Sequence, residues 1–300
     1  DDSLRTKLHV VVAAHRTELL EAIEPLAGIL RRYRRADGPS IHFSRTAEAL
    51  YARDELWATE TEQGVVQGRD VCVKRMKDYE QFTAEIVARF PQGSELSGRD
   101  VIRVLCWHTP ADCEPLVVNG QSQEPEHTSL DDEYPYLLVM DRGERSLHDA
   151  CAKERIAGYQ VDTIIEAFRS ILGCVEVLHA SGVIHGDLKQ RNILRFIVDD
   201  LAKWILCDMD ASALRGCTIG RKTSSAYAPP ELARRKYAGD QSGVLDAAEP
   251  SFDVWSLGVI LYELCAGRTL FAQDTNNDEL VELADRTRLC AWHTISDEEL

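Results

Sequence analysis

From Leu4 to Tyr33, apolar residues recur at Leu4, Leu8, Val11, Val12, Leu19, Ile23, Leu26, Leu30 and Tyr33, close to helical spacing, with Pro25 as a kink. The pattern predicts an amphipathic helical lead-in or linker over 1–38. It ends in the basic run Arg31, Arg32, Arg34, Arg35 and the turn residues Asp37-Gly38-Pro39. Beyond it, short apolar stretches at 47–53, 70–76, 101–107 and 135–141 suit strands, and Tyr79, Phe82, Ile86 and Phe90 share one face of a helix over 78–90.

After Gly143 the periodicity turns helical, from Val161 to Ala180 and from Asp253 to Ala266, while Asn192 to Asp210 reads as two short strands. The stretches 108–134 and 233–250 are poor in apolar residues and are expected to be surface loops. The fold class is therefore α+β: a small strand-rich part with one main helix over 41–141, then a larger, mostly helical part over 142–300.

Charge narrows the partners. Fifty acidic against thirty-four basic side chains give a net charge of −16, which opposes nonspecific attraction to nucleic acid or to an anionic membrane. The longest apolar stretch, Val254 to Leu264, is interrupted by Ser256, Gly258 and Glu263, so no membrane span is expected. With no signal-like leader, a cytoplasmic location, or a nuclear one, is the expectation. The nine cysteines form no C-x-x-C pair, which argues for reduced, mostly buried thiols and against a zinc site.

The chemistry concentrates in His185-Gly186-Asp187-Leu188-Lys189-Gln190-Arg191-Asn192. This run resembles the catalytic loop of eukaryotic-type protein kinases, written H-R-D-L-x-x-x-N. The resemblance extends in order to five further blocks: Val71-Cys72-Val73-Lys74, Tyr136 to Gly143, Cys207-Asp208-Met209-Asp210, Tyr227-Ala228-Pro229-Pro230-Glu231, and Phe252 to Leu264. It implies a bilobal kinase fold using ATP and Mg2+ on a protein substrate. Asp187 would accept the substrate hydroxyl proton, and Lys189, as in serine/threonine members, would neutralise the transferring phosphoryl group. Asn192 and Asp208 would bind magnesium, and Lys74 would hold the phosphates while pairing with Glu85, with Glu80 as the alternative. Main-chain groups of Asp141 and Gly143 would read adenine behind Met140, Asp253 would support the catalytic loop, and Ser224 would lie near Asp187.

Departures from the family pattern are equally specific. The segment Phe43 to Asp54, which aligns best with the phosphate-covering loop, has no glycine. Asp210 stands where the family has the last residue of D-F-G, and Gly186 replaces the arginine that couples activation-loop phosphorylation to order. No partner arginine for Glu231 follows Gly267, so the large lobe is expected to be incomplete and the chain to be part of a longer multidomain protein. The glycine-free segment and Asp210 leave open an alternative, a pseudokinase acting as a nucleotide-binding or scaffolding module. A small-molecule kinase of the aminoglycoside or choline type also favours H-G-D, but the Pro229-Pro230-Glu231 and Asp253-Val254-Trp255 blocks oppose it.

Overall fold

A computed structural model describes residues 33–35, 42–43, 47–61, 64–91, 96–109, 117–118, 121–122, 134–198, 201–219, 222–238, 247–274 and 278–295. The chain divides into two units, one drawn from 1–79 and 103–142 and the other from 80–102 and 143–300.

The first unit is built on a sheet. Strands β1 (Tyr33–Arg35), β2 (His42–Phe43), β3 (Ala47–Thr61) and β4 (Gly64–Met76) precede β5 (Val104–His108), the two-residue ladder of β6 (Val117–Val118) with β7 (Gln121–Ser122), and β8 (Tyr136–Asp141). The main sheet runs β1-β3-β4-β8-β5, with β2 also on β3. Because side chains alternate along a strand, Val71 and Val73 meet Leu137, Val139 and Ala52 in one apolar cluster. Lys74 alternates to the other face and is buried there. At the end of β8, Asp141 is paired with Arg69 and, at 3.3 Å, with Arg103.

One expectation changes here. Tyr33–Arg35 is a strand paired with Ala52, Arg53 and Asp54 rather than the end of a helix, while residues 1–32 lie outside the described residues. The strand expected over 47–53 forms, Ala47 to Asp54 pairing in register with Met76 to Arg69, and it takes up most of the segment aligned with a phosphate-covering loop. A partner strand carrying Val71 and Val73 with a continuous ladder favours extension there, and no turn chemistry interrupts it.

The second unit carries the helices. α1 (Tyr79–Val87) lies in it from Glu80 onward and buries Phe82 and Glu85. After β9 (Arg145–Ser146), α2 (Leu147–Glu154) is capped by Ser146, whose hydroxyl accepts from the Asp149 amide at 3.1 Å. α3 (Val161–Ala180) buries Ile164, Ala167, Ile171, Cys174, Val175 and Leu178, the one-sided stripe of an amphipathic helix. β10 (Val183–Ile184) leads into the His185 to Asn192 loop, followed by the antiparallel pair β11 (Ile193–Val198) and β12 (Leu201–Leu206), and by β13 (Ala213–Leu214) on β10.

α4 (Pro230–Ala238) corrects a further expectation: residues 233–238 are helix, not loop. Pro230 suits a first helical turn, Glu231 and the pair Arg235, Lys236 complement the helix dipole, and Leu232 and Ala233 supply the buried face. α5 (Pro250–Ala266) begins on a proline and stops at Gly267, whose φ of 66° is the left-handed C-terminal cap. It buries residues around most of its circumference, as a core helix must. α6 (Leu283–Cys290) completes the described elements.

The described cysteines are free thiols, but Cys72 and Cys174 alone among them are buried, and Cys217 and Cys265 are exposed. Burial pushes the Cys174 thiol up to about 11. No helix among the described residues is long and apolar enough to cross a membrane.

Candidate active site

The His185 to Asn192 loop is suspended from α5. Asp253, fully buried in the first turn of that helix, accepts the His185 amide at 2.8 Å and the Gly186 amide at 3.0 Å, and its Oδ2 lies 2.8 Å from His179 Nε2. His185 is buried too, with Nε2 3.0 Å from the Cys207 carbonyl and Nδ1 accepting the Asp187 amide at 3.3 Å. That pattern selects the tautomer with the proton on Nε2. Gly186 has φ +81°, and a Cβ there would lie 2.6 Å from the Ala211 carbonyl oxygen. Glycine at this position is thus a requirement of the local path.

Asp187 is consequently held almost wholly buried. Its Oδ1 accepts the Ser224 amide at 2.7 Å, leaving Oδ2 with longer contacts, 3.4 Å to both Asn192 Nδ2 and Lys189 Nζ. Lys189 Nζ donates to Ser224 Oγ at 2.7 Å. Burial pulls the Lys189 amine down, but Asp187, Asp278 and Asp208 outweigh it and hold it above the ordinary lysine range. Asn192 Nδ2 donates to the Asp187 carbonyl at 2.8 Å, which directs its Oδ1 the other way. Asp187, Lys189, Asn192 and Ser224 therefore meet in one cluster of the second unit.

A second cluster gathers Glu85, Asp208 and Asp210, whose carboxylate oxygens lie within 4.8 Å of one another. Glu85, rather than the exposed Glu80, is the buried acid of α1, and its Oε2 accepts the Met209 amide at 3.1 Å. Arg89, also buried, pairs with the same carboxylate and donates from Nε to the Ile102 carbonyl at 3.1 Å. Asp208 has φ 65°, a left-handed conformation that aspartate tolerates better than most residues. The other described non-glycine residues with positive φ are Arg155 and Asp278, so Asp210 sits where a glycine is not required by the backbone. Its side chain is fully buried and ion-paired with Lys222. Grouped carboxylate oxygens are the hard ligands magnesium prefers, so the residues present fit that ion.

The remaining sites from the sequence are distributed. Lys74 lies in β4 of the first unit, opposite Ala49 and Leu138 in the ladders. The Asp141 amide in that unit is committed to the Arg103 carbonyl at 3.4 Å. Gly143 belongs to the second unit, where a Cβ would come within 3.1 Å of Leu194 Cβ. Three contributors escaped the sequence reading: Arg89 and Lys222, which serve as cations for Glu85 and Asp210, and Asp278, 3.2 Å from Lys189. The buried position of Arg89 had one signal, a charge on the apolar stripe of the helix expected over 78–90; Lys222 and Asp278 are ordinary loop residues by sequence.

An aspartate and lysine on a clamped loop, followed by an amide and then by a strand that ends in two carboxylates, are the parts from which phosphoryl-transfer folds are made. The chain belongs to the protein kinase domain family, whose model matches residues 126–299. Among curated proteins it is similar to the hormonally up-regulated neu tumor-associated kinase homolog of Xenopus tropicalis, 34% identical over 150 residues, 47% of this chain and 19% of that protein. The human hormonally up-regulated neu tumor-associated kinase is 33% identical over 47% of the chain and 19% of the relative. Mouse serine/threonine-protein kinase D3 is 29% identical over 49% of the chain and 15% of the relative. The matched stretch thus spans a fifth or less of these relatives.

Proposed function

We propose that this domain transfers the γ-phosphoryl group of ATP, with Mg2+, to serine or threonine hydroxyls of a protein substrate. The observation that carries this reading is the Asp187–Ser224–Lys189 arrangement. Fixing Asp187 Oδ1 on the Ser224 amide leaves Oδ2 as the oxygen that takes the substrate hydroxyl proton. Lys189, held at Ser224 Oγ, keeps its positive charge beside that oxygen, where negative charge grows on the phosphoryl group. Asn192 and Asp208 would hold magnesium, with Asp210 adding a carboxylate; the ion would neutralise phosphate charge. Lys74 and the main chain at Asp141 and Gly143 are assigned to the nucleotide by the family pattern. A lysine at 189, together with the similarity to a serine/threonine kinase, supports the hydroxyl acceptor class.

The decisive experiment is transfer of labelled γ-phosphate to generic serine- and threonine-containing proteins by the wild type and by Asp187→Asn. Loss of a general base predicts a rate about 10²–10⁴-fold lower in the variant. Equal incorporation by the two refutes the reading. The ion pair of Asp210 with Lys222 favours a second reading, a nucleotide-binding scaffold in which an internal cation competes for a metal-side carboxylate. A rise in thermal midpoint with Mg-ATP but no transfer by the wild type would select it.

A further inference from the structure

Asp278 belongs to none of the motif blocks, yet it lies against the centre of the site. Its side chain is about as buried as those of Asp187 and Lys189. Its φ of 56° is unusual for a residue other than glycine, and such strain persists where the surroundings impose it. Oδ2 lies 3.2 Å from Lys189 Nζ, nearer than the 3.4 Å from Asp187 Oδ2 to the same amine, and Oδ1 accepts Arg191 Nε at 3.2 Å.

The main chain binds the same regions. The Ala226 amide donates to the Asp278 carbonyl at 3.2 Å, the Leu280 amide to Ser225 Oγ at 2.8 Å, and Ser225 Oγ to Glu279. Residues 278–280 are therefore tied to 224–226, the stretch that delivers Ser224 to Asp187 and Lys189.

A buried ammonium is drawn to whichever carboxylate is nearest, and a carboxylate oxygen closed on by a cation has less room to accept a substrate hydroxyl. Without Asp278, Asp187 would be the remaining carboxylate in ion-pair reach of Lys189 among the described residues, and the amine would close on the oxygen that must take the substrate proton. We propose that Asp278 is a positioning residue that draws Lys189 Nζ away from Asp187 Oδ2, keeping that oxygen open to the substrate hydroxyl and the amine turned toward the phosphoryl group. The role rests on the phosphotransfer reading above. The pairing itself does not.

Three variants separate the possibilities. Asp278→Asn removes the charge and tolerates the left-handed backbone, Asp278→Gly relieves the backbone and deletes the carboxylate, and Asp278→Glu restores the charge on a longer arm. The readouts are kcat and KM for ATP, and mass-spectrometric labelling of Lys189 during brief exposure to an amine-acylating reagent. Asp278→Asn and Asp278→Gly are expected to lower kcat about 10- to 100-fold with KM for ATP little changed, the scale of a misplaced catalytic group. Asp278→Glu should recover part of kcat, and Lys189 labelling should rise in the two variants lacking the charge. Unchanged labelling in both overturns the proposal, and so does a loss confined to KM or a wild-type kcat in Asp278→Gly. If the wild type transfers no phosphate, the phosphotransfer reading fails by itself, and the labelling comparison still decides whether Asp278 holds Lys189.

Discussion

Asp253 Oδ1 accepts the main-chain amide of Gly186 at 3.0 Å, across sixty-seven positions of sequence, and so hangs the His185 to Asn192 loop on the first turn of α5. The other oxygen takes the His185 amide. Replacing Asp253 by alanine would strand two buried amides and remove the partner of His179. A loss of about 2–4 kcal/mol is expected, read by urea unfolding at pH 7. Asp253→Asn, which keeps one acceptor, should lose less.

Gly186 makes a prediction opposite to the family pattern. An arginine or alanine there must adopt φ near the present +81° with its Cβ against the Ala211 carbonyl. Gly186→Ala should cost about 1–3 kcal/mol, visible as a lower thermal midpoint. Gly186→Arg should be at least as destabilising, so restoring the family residue does not install its phosphorylation switch. A variant as stable as the wild type would contradict this.

Lys222 gives the buried Asp210 side chain its counter-ion. Lys222→Met is expected to destabilise by about 1–3 kcal/mol, below the cost of breaking a wholly buried pair because Lys222 is partly exposed. If the pair is the cause, Lys222→Met should cost much less when Asp210 is already glycine. A double-mutant cycle by chemical denaturation measures that coupling, and additive costs would exclude it.

Glu263 should give the fold a distinctive pH dependence. Burial pushes its carboxyl up to about 7, against the hydrogen bonds that Tyr227 and Gln190 donate to it. The folded value lies above the unfolded one, near about 4.3, so between them the folded state holds a proton that the unfolded state has released. The contribution is fully present below the unfolded value and is lost as pH rises through 7, by up to about 3 kcal/mol. Glu263→Gln keeps an oxygen for both donors and removes the ionisation. Its stability relative to wild type, measured by denaturation from pH 4 to 8, should rise across that window, and a flat difference would refute the assignment.

Much of the site was legible because its residues are close in sequence. Asp187, Lys189 and Asn192 occupy one short loop, and Asp208 lies two residues beyond β12, which pairs with β11 just after that loop. The sequence favours Glu85 and keeps Glu80 as the alternative, since both lie on α1. The choice turns on which face of the helix is buried, and there Glu85 meets the Met209 amide. The loop expected over 233–250 hid a helical turn because α4 carries its polar residues on the exposed side, and a short amphipathic helix in a charged stretch leaves a weak periodic signal.

By itself the sequence determined the family, the α+β class and the order of the motif blocks, because these rest on local spacing: alternation for strands, a 3.6-residue stripe for helices, and short-range catalytic signatures. Tertiary structure alone decided which charges neutralise one another. Lys222 on Asp210 and Asp278 on Lys189 are pairings at sequence separations of twelve and eighty-nine, each with a loop residue as the partner. Buried charge must find a partner wherever the packed chain brings one, and that condition acts through space rather than along the sequence.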